Sequence, residues 1–228
     1  MADIPRSSIA ESECECRRLH LRRRIVLTGG PGAGKTAVLE LIRQSLCRHV
    51  TILPESAGIV FGGGFPRKEH PAARRAAQRA IYFIQRELED MTDAVDGGVT
   101  LCDRGVVDGF AYWPGPDDYW TGIGATQEEL FARYDAVIHL RVPDAENGYG
   151  YTNPLRVETW TEAQAIDARI HQAWTGHPRR HTIEADADFL VKANRALAIL
   201  RTELPECCRT ELERRGVTAE GDAASSFP

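Results

Sequence analysis

Apolar residues in this chain fall into short unbroken runs separated by stretches with a repeat of three to four positions, the alternation of strands and helices that builds a parallel sheet. Ile25-Val26-Leu27 is the first run, Val50-Thr51-Ile52-Leu53 the second and Val99-Thr100-Leu101-Cys102 the third. Asp135-Ala136-Val137-Ile138-His139-Leu140 is the fourth, and His181 to Glu184 a short fifth. Between them Val38, Leu41, Ile42 and Leu46 recur at helical spacing and predict a helix from about Lys35 to Arg48. Pro71 suits a helix's first turn, and Ala73, Ala77, Ala80, Ile84, Leu88 and Met91 then mark one apolar stripe to about Ala94. Thr161-Glu162-Ala163-Gln164 matches a capping box, so a helix is expected to start there and to bury Ile166, Ile170 and Trp174, with Arg169 on another face. Leu190, Ala193, Leu197 and Leu200 mark a last helix ending before Pro205.

The connections carry their own signals. Pro54-Glu55-Ser56 ends the second strand and leads to Gly62-Gly63-Gly64-Phe65-Pro66-Arg67-Lys68, a loop whose glycines allow motion around a bound molecule. Residues 105–133 are rich in Gly, Trp and Tyr, and their aromatics either wall a pocket or pack over the core. The loop from Pro143 to Thr159 holds Gly148, Gly150, Pro154 and Arg156 and runs into a helix, which suits a lid over about 143–176. Residues 1–20 read as a mobile leader, 21–205 as one domain and 206–228 as a disordered tail, without period from Gly216 onward.

Composition narrows the class. A chain of 228 residues with 43% hydrophobic content suits a single α/β domain. The formal net charge of −5 argues against a nonspecific binder of nucleic acid or acidic membrane. No apolar stretch reaches the roughly 20 residues of a membrane span, and the amino terminus lacks a signal peptide's apolar region, so a cytoplasmic protein is expected. Of six cysteines, Cys14 and Cys16 lie in one tail and Cys207 and Cys208 in the other, with no His at ligand spacing beside them, so neither metal nor disulfide is assigned. Cys47 and Cys102 read as small core residues. Arg22-Arg23-Arg24 reads as a solvated start to the first strand, and His139 as a satisfied strand histidine rather than a catalyst.

The chemistry begins at Gly29-Gly30-Pro31-Gly32-Ala33-Gly34-Lys35-Thr36, directly after the first strand, which fits G-x-x-x-x-G-K-[ST]. Backbone N–H groups of Gly30, Gly32, Ala33, Gly34, Lys35 and Thr36 would cradle the phosphates of a nucleoside triphosphate. Lys35 would add a point charge, and Thr36 a hydroxyl for Mg²⁺. Asp103-Arg104 ends the third strand, and in an open parallel sheet ligands bind beyond the strand carboxyl ends. An acidic residue there can hold Mg²⁺ or take an acceptor proton. Glu55, Arg67, Arg79 and Asp108 are the candidate contacts for an acceptor, with Arg74 and Arg75 on the same arginine-bearing faces as Arg79.

These features together resemble the P-loop nucleoside and nucleotide kinases, with the nicotinamide riboside kinase-like and deoxynucleoside kinase-like members the most similar, over about Arg22 to Leu204. The resemblance implies an α/β three-layer P-loop NTPase fold with a five-stranded parallel sheet and an Arg-bearing lid. It further implies that Lys35 and Thr36 hold phosphates and Mg²⁺, that Asp103 and Arg104 act at the transferring group, and that Arg156 is a lid arginine. Glu55 matches the acidic residue that deoxynucleoside kinases place after strand two as a proton acceptor, although here Pro54 precedes it. Mg²⁺ and ATP are the implied cofactor and phosphoryl donor, ADP and a phosphorylated small molecule the products, and a homo-oligomer is left open. A GTPase would need D-x-x-G and N-K-x-D, and neither is present. An NTP-driven switch or AAA-type motor would normally carry a helical lid domain after the core, and the chain looks too short for one. A polynucleotide 5′-hydroxyl kinase would need a basic trough that Arg67, Lys68, Arg74, Arg75 and Arg79 could line.

Overall fold

The five apolar runs become β1 (Arg23–Thr28), β2 (Val50–Leu53), β3 (Val99–Asp103), β4 (Ala136–Leu140) and β5 (Arg180–Ile183). The structure is a computed structural model and describes residues 16, 20–43, 49–96, 98–115, 118–143, 159–186 and 188–209. The strands form one sheet in the order β2-β3-β1-β4-β5, every neighbouring pair parallel. A parallel sheet is covered on both faces, which is why its strands are continuous apolar runs. In β1, Ile25 and Leu27 join one core layer while Val26 joins the other. All three are at most 1% exposed, a burial that contributes about 1.5–3 kcal/mol for each side chain.

Helices follow as α1 (Lys35–Arg43), α2 (Ser56–Gly62), α3 (Pro71–Val95), α4 (Gly109–Tyr112), α5 (Tyr119–Ile123), α6 (Gln127–Phe131), α7 (Trp160–Ala173) and α8 (Phe189–Glu203). Val38 and Ile42 of α1 and Ala193, Leu197 and Leu200 of α8 pack on the Ile25–Leu27 layer. Tyr82, Trp113, Tyr119, Leu130, Ile170 and Trp174 pack on the Val26 layer. The aromatics of the 105–133 stretch are therefore chiefly core, while Tyr112 and Tyr119 also reach a cavity.

Several expectations change. The short helix α2 stands where only a turn and a flexible loop were expected. Helix α7 starts two residues early, because Thr159 accepts the Glu162 N–H and Glu162 accepts the Thr159 N–H, a capping box that outcompetes the Thr161 alternative. The buried face of α3 is Ala77, Tyr82, Gln85, Glu89 and Thr92, and Met91 of the expected stripe is exposed. Arg24 is buried rather than solvated and pairs with Glu89 at 3.1 Å and Asp93 at 2.7 Å. That pairing explains the polar face of α3, since a buried guanidinium must find carboxylates. All of the leader but residues 16 and 20, residues 44–48 of the expected first helix, 144–158 of the lid loop with Arg156, and the tail beyond 209 lie outside the described residues; residues 206–209, expected in a disordered tail, are helical, with Cys208 buried against the core.

Candidate active site

Register fixes the site. Leu27 stands beside Asp103 of β3 and Ile138 of β4, so the loop after β1 and the Asp-Arg after β3 emerge side by side at the carboxyl edge. From Thr28 the chain turns through Gly29, at φ 141°, and Gly34, at φ 92°, into α1. A Cβ on Gly29 would lie 2.1 Å from the Leu140 carbonyl oxygen, and one on Gly34 2.8 Å from the Phe189 ring. Only a bare backbone fits there. Lys35 folds back over the loop, its Nζ donating to the carbonyls of Gly29 at 2.9 Å and Gly30 at 3.0 Å. Burial, and then the Arg104 charge, lower its pKa to about 8 against the pull of Asp103, Glu55 and Asp108. Thr36 is exposed at the mouth.

Two side chains brace the loop from beneath. Asp167 of α7 accepts the Gly30 N–H at 2.8 Å and the His139 Nε2–H at 2.8 Å, and pairs with Arg141 Nε at 3.0 Å. Burial alone would push its carboxyl up; His139, the Gly30 N–H and Arg141 outweigh that and hold it below its ordinary value. Lys192 of α8 donates to the carbonyls of Ala33, at 2.9 Å, and Arg141. Its pKa is lowered to about 8 by burial. His139 is thus engaged through Nε2, while its buried Nδ1 has no partner among the described residues.

Beside the loop, Arg104 organises three carboxylates. It adopts φ 73°, a left-handed conformation costing a non-glycine residue about 1 kcal/mol, which is tolerated where the surroundings over-determine it. Its Nε donates to Glu55 Oε1 at 2.7 Å and its Nη1 to the Gly29 carbonyl at 3.1 Å. Tyr112 lies under its guanidinium at 5.6 Å. Burial raises Glu55, but Arg104 and then Lys35 outweigh it, so its carboxyl sits below the ordinary value and stays ionised. Asp103 goes the other way: burial pushes it up, and Lys35 and Arg104 do not fully compensate. Its buried Oδ1 has no hydrogen-bond partner among the described residues. Asp108 is consumed internally, accepting from Thr28 Oγ1 at 2.5 Å and Trp174 Nε1 at 2.6 Å. It lines the cavity with Glu55 and Asp103, but both of its oxygens already accept from neighbours, Oδ2 also from Arg104 Nη1 at 3.4 Å.

A cavity of about 480 Å³ opens from this cluster. Gly32, Lys35 and Thr36 form its phosphate end, Glu55, Asp103 and Arg104 its middle, and Phe61, Arg67, Arg74, Gln78, Tyr82 and Tyr112 the far walls. That volume holds a small metabolite. Asp103, with its orphaned oxygen, and Thr36, with its hydroxyl, both line this cavity and offer oxygen donors of the hard type that Mg²⁺ takes. Arg67, stacked on the Phe61 ring at 4.2 Å, lines the cavity as expected. Arg79 is not among the residues lining the cavity, whereas Arg74, five residues earlier on α3, is. The helical half of the expected lid is a fixed core element, with Ala163, Asp167, Ile170 and Trp174 all buried.

Asp167, Lys192 and Arg74 escaped the sequence reading as site residues. One signal was present for the first: Ala163, Asp167, Ile170 and Trp174 share a helical stripe, and a carboxylate on a core stripe must have a partner.

A family of AAA domains matches residues 24–189 of the chain. Among solved structures, the chain resembles deoxyadenosine kinase from M. mycoides with bound dATP, at a TM-score of 0.51 and 14% identity, over 78% of this chain and 98% of that one. A likeness at that identity shows a shared fold. No curated protein matches.

Proposed function

From a chain that belongs to this family of AAA domains and has the P-loop nucleoside kinase-like fold, we propose a Mg-ATP-dependent phosphotransferase. It moves the γ-phosphoryl group to a hydroxyl or phosphate of a small acceptor of the nucleoside or nucleotide class. The observation that carries the reading is the continuity of the cavity, which begins at Lys35 and Thr36, passes Glu55, Asp103 and Arg104, and ends in space far larger than the phosphates need. A machine that only hydrolyses has no use for that far end.

In this reading the loop's N–H groups and Lys35 hold the β- and γ-phosphates, and Thr36 and Asp103 hold Mg²⁺, which would neutralise phosphate charge and orient the group. Glu55 offers the acceptor hydroxyl its second oxygen, since Oε1 is held by Arg104. The acceptor oxygen forms the new bond to phosphorus, the bond to the ADP bridging oxygen breaks, and the hydroxyl proton passes to Glu55. Arg104 balances charge on the transferring group, Arg67 and Arg74 suit an anionic acceptor, and Tyr112 can stack on a base or sugar. Arg156, by the resemblance to P-loop kinases, would act at the transferring group.

The test is single-turnover transfer from labelled ATP to a panel of nucleosides, nucleotides and other hydroxyl metabolites. Transfer should require an acceptor, and Glu55→Gln should slow it by roughly 10²- to 10⁴-fold with ATP binding intact. ATP hydrolysis that no acceptor stimulates and that Glu55→Gln leaves untouched would transfer the assignment to an NTP-driven switch. A steep salt dependence of acceptor binding would point instead to polynucleotide ends, read by Arg67, Lys68 and Arg74.

A further inference from the structure

Segments far apart in sequence converge at the amino edge of the sheet, opposite the phosphate loop. His49 immediately precedes β2, and its carbonyl accepts the Val99 N–H at 2.8 Å, which fixes it beside the start of β3. Cys207 and Cys208 follow α8, and Cys208 is buried in the core with Leu204. Cys16 and His20 arrive from the segment before β1. His20 Nε2 lies 3.2 Å from Cys207 Sγ and 3.5 Å from Cys16 Sγ, and His49 Nδ1 lies 3.6 Å from Cys207 Sγ. The two imidazoles meet edge to face at 4.5 Å.

The donor types and spacing fit one kind of guest. Thiolate sulfur with imidazole nitrogen is the ligand set of Zn²⁺ in closed structural sites. With Zn–S of about 2.3 Å and Zn–N of about 2.0–2.1 Å, tetrahedral geometry sets sulfur and nitrogen ligand atoms about 3.5 Å apart. The three sulfur–nitrogen separations here bracket that value. The ligand atoms of Cys16, His20 and Cys207 lie within 4.8 Å of one another, as do those of His49, Cys207 and Cys208, so Cys207 belongs to both groups. Cys208 is disulfide-bonded and supplies no thiolate.

We propose that Cys16, His20, His49 and Cys207 form a structural site for Zn²⁺, with Cys207 as the shared central ligand. Cys16, His20 and Cys207 form three corners as they stand, while His49 is grouped with Cys207 but not with the other two, so its ring must turn inward to complete a tetrahedron of two sulfurs and two nitrogens with no open position for catalysis. The ion ties the segment before β1 and the segment after α8 to the start of β2, so its binding energy becomes folding energy.

The test uses the full-length chain without an affinity tag, expressed with added zinc and desalted. Elemental analysis should give about one zinc per chain. Replacement by Co²⁺ should add thiolate-to-cobalt charge-transfer bands and strong tetrahedral d–d absorption. Cys207→Ser should abolish both, and chelator should lower the melting temperature of the parent protein but not of this variant. ATP binding, at the opposite edge, reports that the fold persists. Should Cys207→Ser not fold, His20→Ala serves, losing the cobalt bands while still binding ATP. Substoichiometric zinc, cobalt bands that survive either substitution, or a Cys16–Cys207 disulfide found by non-reducing peptide mapping would each overturn the proposal.

Discussion

Two of the buried charge clusters among the described residues, one under α3 and one at the carboxyl edge of the sheet, differ in what they leave for a ligand. Under α3, Glu89 is fully buried, and each of its oxygens is taken. Oε1 accepts from Gln85 at 3.0 Å and Tyr134 at 2.7 Å, and Oε2 from Arg133 at 2.9 Å beside Arg24 at 3.1 Å. At the carboxyl edge, among the described residues, Asp103 keeps a buried oxygen without a hydrogen-bond partner, and Lys35 donates to carbonyls of its own loop. Arg24 Nε in the α3 cluster also has no hydrogen-bond partner among the described residues, but it lines neither described cavity; unused capacity beside a cavity is what a ligand can take up. The two clusters are joined through Ser56 Oγ, which donates to Gln85 at 2.6 Å, and Gln85, which donates to Glu89.

The sharpest way to separate them is Lys35→Ala. It should lower kcat by roughly 10³-fold or more, because its charge acts where negative charge develops. The unliganded protein should melt no lower, since burial already disfavours the charged lysine. A folded variant with full turnover would break the assignment of the open cluster.

Glu89→Gln should do the reverse. Removing its charge takes the shared carboxylate from buried Arg24 and half-buried Arg133, which keep Asp93 and Asp90, an effect of about 1–3 kcal/mol in urea unfolding. Turnover per folded molecule should stay within a few-fold of the parent. Unchanged stability would show that the closed cluster is not the structural one.

The smallest effect is in pH. Lys35 has a pKa of about 8, lowered by burial and then by Arg104, so it loses its charge as pH rises through that value. kcat/KM for ATP, which reports the free enzyme, should fall up to about tenfold per pH unit above it. kcat should hold to higher pH, because bound phosphates favour the ammonium form. A kcat/KM that stays flat to about pH 10 would contradict the buried, uncompensated state of this lysine.

The same contrast explains what could be read from the sequence. Strands, the phosphate loop and Asp103-Arg104 were legible because each is local, a run or a spacing that one segment satisfies alone. The buried face of α3 is not the apolar stripe, because it includes Glu89, which answers to Arg24 and Arg133, and Gln85, which answers to Ser56, all in other segments. Arg74, Arg75 and Arg79 share the arginine-bearing faces of the sequence pattern, and which of them meets the cavity is decided by packing that the pattern does not carry. The Cys and His cluster stayed hidden because Cys207 lies 187 positions from His20 and 158 from His49, while ligand spacing is sought within one segment.

Lys192 and Asp167 have one more consequence, for how the protein is made. The phosphate loop is translated early, yet Asp167 follows Gly30 by 137 positions and Lys192 follows Ala33 by 159. A nascent chain therefore exposes the glycine-rich loop long before its two braces exist. Nucleotide finds no preorganised cradle until α8 has left the ribosome and docked. ATP can stabilise the finished protein by mass action, but it cannot act as a template while the chain is being synthesised.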